Sequence, residues 1–434
     1  MGILRRAGGT LTILRELPGQ RRIPYLPAER IAELRDHRVR ELADFAIAHV
    51  PHYRDLGLDP REIRTARDLA KLPRIDKQAI QADPDRFRPD TPDRDDVRPF
   101  RTAGSTGIPL TIPHDRRSLL ANIAWGERER AAEMRLCGQR YGYDVLQITH
   151  PGSADRRVRE YYDRVSFRPF RPRLHAATVA DSVDALLERL NRLRPPVVRG
   201  FGTHLDLFFA TLVARGDSFH RPRVVVYGGD AMPQRCKRLL EEHSIPVLSR
   251  YGASEAMKIG YTCEAGADAF HLHEDLTHVV VDTPDGEDGE LVISNLVNRG
   301  LVLLNYRVGD LGRLGGRDCS CGRTARLLSG LEGRVDETIR LADGATVHPV
   351  LVRVACDTSR EVLRFQVVQE APDRFRVKLV VADPSRFDDV AWTVLKALDR
   401  VLPGCRIECE RHDELAPEPG ARKFHAVVPL PAAR

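Results

Sequence analysis

The chain has 434 residues, enough for one large domain and one small one at the usual ~100–200 residues per domain. With 42% hydrophobic and 30% charged residues it has the balance of an ordinary globular protein, and no apolar run reaches the ~18 residues of a membrane span. A net charge of +6 over 68 basic and 62 acidic residues is a small bias that reads as solvated surface, so neither a nucleic-acid nor a membrane partner is expected. The start, Met1-Gly-Ile-Leu-Arg-Arg6, lacks a continuous apolar segment, and Arg6 stands where myristoylation needs Ser or Thr. A cytoplasmic protein is expected.

In chain order, residues up to about Arg98 read as helices, with apolar residues at helical spacing over Ala28–Val50. The Pro-, Asp- and Arg-rich stretch Phe87–Val97 is turn-like and leads into Arg101-Thr-Ala-Gly-Ser-Thr-Gly-Ile-Pro109. There Thr102, Gly104, Ser105, Thr106 and Gly107 combine backbone freedom with hydroxyl donors, the makings of an anion cradle. No Gly-Lys-Ser/Thr follows at Walker spacing. Ser118–Met134 reads as a helix, Tyr143–Thr149 and Val197–Gly200 as strands flanking a helix at Asp181–Leu193. Arg223–Tyr227 is a β-branched strand ending at Gly228-Gly229-Asp230, followed by a helix near Pro233–His243 and a strand at Pro246–Ser249. Such alternation implies parallel βαβ units with ligands at the carboxyl ends of strands, where Gly228–Asp230 and Tyr251-Gly-Ala-Ser-Glu255 both fall. His278–Asp282 and Gly289–Val297 read as strands joined by the turn Pro284–Gly289. Beyond Arg334–Glu337 come a hairpin across Asp343-Gly344, a helix near Val350–Ala355, strands Leu363–Val368 and Phe375–Val381, a helix Asp388–Leu402 and a last strand. That is a compact α+β unit of about 100 residues.

Four segments in this order, the loop at Thr102–Pro109, Tyr251–Glu255, Tyr306-Arg-Val-Gly-Asp310 and Gly333-Arg-Val-Asp-Glu337, resemble the motifs of the adenylate-forming superfamily. The superfamily includes acyl-CoA synthetases, aryl-CoA ligases and adenylation domains. The likeness runs from about Leu69 to the C-terminus, and Ala66–Leu72 is similar to the family's entry helix. The block Ser294–Arg323 looks most like the phenylacetate–coenzyme A ligase branch. The resemblance implies a large N-terminal α/β AMP-binding domain, residues 1–333, and a small mobile α+β C-terminal lid, residues 334–434, with Asp336 as hinge. It implies activation of a carboxylic acid by ATP to an acyl-adenylate, then transfer to a thiol. Coenzyme A is the default acceptor, and a carrier-protein pantetheine arm or an amine is left open. So are a monomer and a homodimer.

By the same resemblance, Thr102, Gly104, Ser105, Thr106 and Gly107 would hold the β- and γ-phosphates. Glu255 would ligate magnesium, a hard cation that prefers carboxylate oxygen. Asp310 would accept the ribose hydroxyls and Arg334 would contact ribose or phosphate. Gly228, Asp230, Tyr251, Gly252 and Ser254 would complete the nucleotide and acyl site, with the Tyr251 ring against adenine. Only seven of the basic residues are lysines, and Lys423 alone lies near the C-terminus, where the family carries its adenylation lysine. Gly420 is separated from it by Ala421 and Arg422, so Arg422 competes for the role. Ile108 replaces the lysine that many members carry before the loop's proline. Small residues such as Gly202 and Gly228 leave room for an aryl or arylacetic acid.

Eight cysteines without an export signal argue against disulfides. Cys319-Ser-Cys321, together with Cys263 and the His-rich run His271–Asp275, offers soft thiolates and an imidazole suited to tetrahedral structural zinc. Cys263, His271, Cys319 and Cys321 are the chosen ligands, with His273 as substitute. A protein of another class, a zinc-stabilised binding protein without turnover, is the contrasting reading.

Overall fold

The computed structural model describes residues 2–91, 96–101, 110–149, 154–167, 172–266, 268–284, 286–331, 339–347, 349–356, 358–359, 361–415 and 424–430. Its centre is an eleven-stranded mixed sheet. Five parallel strands form one half, in the spatial order Arg173–Thr178, Asp144–Thr149, Val197–Gly200, Val224–Gly228 and Val247–Tyr251. The alternation of short β-branched runs with helices produces this half, since a crossover helix must return each strand to the same edge. From Tyr251 the sheet continues antiparallel through Gly260–Tyr261, Phe270–Leu272, Leu327–Ser329, Tyr306–Leu314, Gly289–Asn295 and Thr277–Val281. The change of direction falls at the segment that follows Tyr251, at the carboxyl end of a parallel strand, where open α/β sheets bind their ligands.

The structure departs from expectation at several places, and the helix Ala154–Val165 and the edge strand Arg173–Thr178 were not expected at all. Ser118–Met134 is two helices, Arg116–Trp125 and Glu127–Cys137, broken at Gly126, a residue with little helical preference. The second helix turns Glu129 and Glu133, one helical turn apart, toward the sheet. Gly202–Ala214 is also helical although no side chain next to it in sequence caps it. Asp230 does so from the end of the neighbouring strand, accepting from the Gly202 N–H and the Thr203 hydroxyl. Ala66–Lys71 forms a 3₁₀ helix, and the strands Val97–Arg101 and Thr111–Asp115 pair as a hairpin whose connection carries the Thr102–Pro109 loop.

The C-terminal unit has its own core, drawn from Ile339 to Val427. Its four-stranded sheet runs in the order Arg406–Arg411, Arg374–Val381, Val362–Ala371, Val427–Val428, covered by the helices Pro349–Cys356 and Phe387–Val401. The expected hairpin turns at Gly344 (φ +85°), between Ile339–Arg340 and Thr346–Val347. Among the described residues, no helix is long and apolar enough to cross a membrane.

Candidate active site

Two of the four sequence motifs lie among the described residues, and the structure ties them together by a crossed pair of hydrogen bonds. The hydroxyl of Tyr251, the last residue of its strand, donates to Asp310 Oδ2 at 2.8 Å. The hydroxyl of Tyr306, the first residue of its strand, donates to Glu255 Oε1 at 3.2 Å. Each motif's tyrosine thus aims the other motif's acid. Thr102, Gly104, Ser105, Thr106, Gly107, Arg334, Asp336 and Lys423 lie outside the described residues.

The backbone that presents Glu255 is tightly constrained. A Cβ on Gly252 would stand 2.1 Å from the Met257 carbonyl oxygen, so only glycine fits there. The Met257 N–H closes a tight turn onto Ala253 O at 2.6 Å, with Met257 itself at φ +61°. Ser254 O accepts from His114 Nε2 at 2.7 Å, which fastens the turn to the strand that follows the Thr102–Pro109 loop. Burial holds the His114 pKa below its usual value, against the opposing pull of that carbonyl and of Asp115. Glu255 O accepts from Asn295 Nδ2 at 2.8 Å. Two further buried asparagines continue the frame. Asn298 Nδ2 reaches Pro113 O at 3.0 Å, and Asn305 Nδ2 reaches Leu72 O at 3.0 Å. Asn295 and Asn298 were legible only as part of a branch-like block; nothing in the sequence assigned them these partners.

At the neighbouring strand end, a Cβ on Gly228 would meet Arg250 O at 2.9 Å, and Gly229 takes φ +85°. The carboxylate of Asp230 faces the helix Gly202–Ala214, as described above. Tyr251 is half-buried, with its ring edge-on to Phe270 at 6.0 Å.

Behind this edge lies a buried ionic network that sequence reasoning missed. Glu133, fully buried, accepts from Arg199 Nε at 3.1 Å, from Arg250 at 2.9 Å and from the Tyr143 hydroxyl at 2.6 Å. Glu129 meets Lys258 Nζ at 2.8 Å and His273 Nε2 at 3.2 Å. Burial alone would raise the pKa of either glutamate; the Lys258, His273 and Arg250 partners of Glu129, and the Arg199 and Arg250 partners of Glu133, outweigh it and keep both ionised. Arg128 forks onto Asp275 at 2.6 and 2.8 Å. Arg250 directly precedes Tyr251, so the network anchors the strand end that carries the first tyrosine.

The structure also brings Cys263, His271, Cys319 and Cys321 together, with one donor atom from each lying within 4.8 Å of the others. Cys263 Sγ is 3.6 Å from Cys319 Sγ, and Cys321 Sγ is 3.3 Å from His271 Nε2. His273 points elsewhere, to Glu129. Burial, then the Arg323 charge, drives the His271 pKa down to about 4, which leaves the imidazole neutral as a metal ligand must be. The Arg323 N–H donates to Cys321 Sγ at 3.4 Å. The donor set, three thiols and one neutral imidazole, fits tetrahedral zinc.

No family model matches the chain. The phenylacetate–coenzyme A ligase of Thermus thermophilus is 25% identical over 407 residues, covering 87% of each protein. That of Escherichia coli is 25% identical over 358 residues, covering 74% of this chain and 75% of the relative. Among solved structures, a 2-hydroxyisobutyryl-CoA ligase in the postadenylation state with a bound acyl-AMP superposes with a TM-score of 0.74 at 17% identity, covering 95% of this chain and 91% of that one. The same ligase with CoA in its thioester-forming state gives 0.57 at the same coverage.

Proposed function

We propose that this chain, which belongs to the adenylate-forming superfamily and within it to the phenylacetate–coenzyme A ligase-like branch, is an AMP-forming acid–thiol ligase. It activates a carboxylic acid with ATP and transfers the acyl group to coenzyme A. A carboxylate oxygen attacks the α-phosphorus, pyrophosphate leaves, and the mixed anhydride is opened by a thiolate with AMP as leaving group. The substrate class is an aryl or arylacetic acid, by likeness to the phenylacetate–coenzyme A ligases; Gly202 and Gly228, expected to leave room for it, instead admit close backbone approach of Ala231 and Arg250.

The observation that carries the reading is the crossed pair, Tyr251 to Asp310 and Tyr306 to Glu255. It presents two carboxylates at fixed positions on one strand-end edge, backed by a rigid buried frame. Preorganised groups aimed at a polyphosphate are what this chemistry needs. Asp310 accepts the ribose hydroxyls. Glu255 offers a hard oxygen donor for magnesium, which would neutralise phosphate charge when bound. Thr102, Gly104, Ser105, Thr106 and Gly107 cradle the β- and γ-phosphates, Arg334 contacts ribose or phosphate, and Lys423 bridges the carboxylate and the α-phosphate. The division into residues 1–333 and 334–434, with Asp336 as hinge, belongs to the same proposal. Zinc held by Cys263, His271, Cys319 and Cys321 is structural, because four protein ligands leave no open position.

Carboxylate-dependent ATP–pyrophosphate exchange over a panel of aryl acids, beginning with phenylacetate, tests the first half. Thioester absorbance on adding coenzyme A tests the second. Exchange without any coenzyme A thioester, but with loading of a pantetheinylated carrier, would move the acceptor; no exchange with any acid would overturn the reading.

A further inference from the structure

Where the C-terminal unit meets the large one, a single guanidinium serves both. Arg235, in the first turn of the helix Gln234–Glu242, is 9% exposed. Its Nε donates to Asp206 Oδ1 at 3.2 Å, and a terminal nitrogen pairs with the other oxygen of the same carboxylate. The same fork donates to the main-chain carbonyl of Leu363 at 2.6 Å and to that of Val362, the first two residues of a strand in the C-terminal unit. Asp206 lies on the helix Gly202–Ala214, whose first turn is bonded to Asp230.

Arg364, the next residue of that strand, has its pKa pulled below the usual arginine value by burial. Its guanidinium stacks on the Phe424 ring at 4.0 Å. Two residues on, Gln366 Nε2 donates to His425 O at 3.1 Å, and Val367 N donates to Ala426 O at 2.8 Å. The strand that Arg235 grips is therefore the strand that grips the segment beginning at Phe424, and Phe424 is joined by one peptide bond to Lys423.

We propose that Arg235, forked onto Asp206 and onto the carbonyls of Val362 and Leu363, is a positioning residue that latches the C-terminal unit in the arrangement used to form the acyl-adenylate. The proposal rests on the ligase reading above. The 2-hydroxyisobutyryl-CoA ligase superposes at 0.74 in one state and 0.57 in another, with 95% of this chain matched in both. The arrangement that contains the latch is thus like the postadenylation arrangement of that protein and unlike its thioester-forming one. A contact made in one of two arrangements shifts their balance by its differential energy, and it favours the step that arrangement performs.

The test separates the half-reactions. Pyrophosphate exchange is measured with phenylacetate and ring-substituted aryl acids, and thioester formation with coenzyme A and supplied phenylacetyl-adenylate. In Arg235→Met, exchange should fall about 10-fold or more, within the ~5- to 150-fold span of ordinary two-state couplings. Thioester formation should stay within about 2-fold of wild type. Arg235→Lys, which keeps the charge beside Asp206 but not the fork, should restore part of the loss. Small-angle scattering should report a changed mean arrangement in the methionine variant. Equal loss of both half-reactions, or wild-type exchange with unchanged scattering, overturns the latch. Failure of the wild-type protein to exchange with any acid overturns the ligase reading instead, and scattering then decides the latch alone.

Discussion

Replacing Tyr306 by phenylalanine removes one hydroxyl and little else. The ring is 2% exposed within the main core, so phenylalanine fills the same space without opening a cavity. What is lost is the 3.2 Å bond to Glu255. A hydrogen bond to an ionised acceptor contributes about 1.5–3 kcal/mol, and this length belongs at the lower end. About 1.4 kcal/mol corresponds to tenfold in an equilibrium or rate ratio. Because Asn295 still holds the Glu255 carbonyl, the loss falls on the direction of the carboxylate and not on the turn that carries it. Pyrophosphate exchange measured against magnesium concentration should show half-saturation raised about tenfold, with ATP half-saturation little changed. Tyr251→Phe, on the other arm, should do the reverse, raising half-saturation for ATP and sparing magnesium. Wild-type exchange in Tyr306→Phe, or the same shift pattern in both variants, would refute the idea that the crossed pair aims two distinct carboxylates.

The remaining expectations concern the frame, the metal and the lysine. Asp275→Asn leaves Arg128 buried without a counter-charge and should destabilise by about 3–5 kcal/mol in denaturant unfolding, whereas Arg128→Met with Asp275→Leu should come near neutral. Burial pushes the Asp275 pKa up, but the Arg128 charge and its hydrogen bonds win and bring it down to about 2. The contribution of this carboxylate to stability is therefore fully present above the ordinary aspartate range near pH 4, and it is lost as pH falls through about 2. Elemental analysis should find about one zinc per chain, and chelation or Cys321→Ser should lower the melting temperature. A metal-free protein of full stability would sink the zinc assignment. Gly252→Ala must displace the Met257 carbonyl and should abolish exchange while the protein remains folded by circular dichroism. Lys423→Ala should abolish exchange yet leave reaction from supplied acyl-adenylate largely intact; equal loss of both would remove it from the adenylation step.

The sequence showed most where one local pattern carries one physical requirement. Short apolar runs such as Val197–Gly200 and Val224–Gly228 announced four of the five parallel strands but not the edge strand Arg173–Thr178, and Asp343-Gly344 announced the hairpin of the C-terminal unit. Cys263, His271, Cys319 and Cys321 were readable as a donor set because soft ligands are rare and chemically distinct. What stayed hidden depends on pairings between distant residues. The helix Gly202–Ala214 begins without a local cap because its cap is Asp230, nearly thirty residues on. His114 sits in what reads as an ordinary strand, and its bond to Ser254 spans 140 residues. Glu129 and Glu133 look like the solvated face of a charged helix until Arg199, Arg250 and Lys258 are folded against them.

Two sets of arginine contacts suit opposite demands of one reaction. Arg199 and Arg250 join Glu133 to the two strands that flank Val224–Gly228 in the sheet, and the pairs they make lie wholly within the large unit. That suits groups such as Glu255 and Asp310, whose aim must be set before substrate arrives, since reorganisation during the reaction would cost rate. Arg235 is different. It shares its fork between a carboxylate of the large unit and two main-chain carbonyls of the small one. Neutral carbonyls bind a guanidinium less tightly than a carboxylate does. Separation of the units would leave Arg235 paired with Asp206 and give up its contacts to the Val362 and Leu363 carbonyls. A latch that opened by stripping a buried arginine of its carboxylate would cost about 3–5 kcal/mol and would hold the enzyme in one half-reaction. One that gives up carbonyl contacts alone, which water can replace as the units part, can favour adenylate formation and still release for the thiol step.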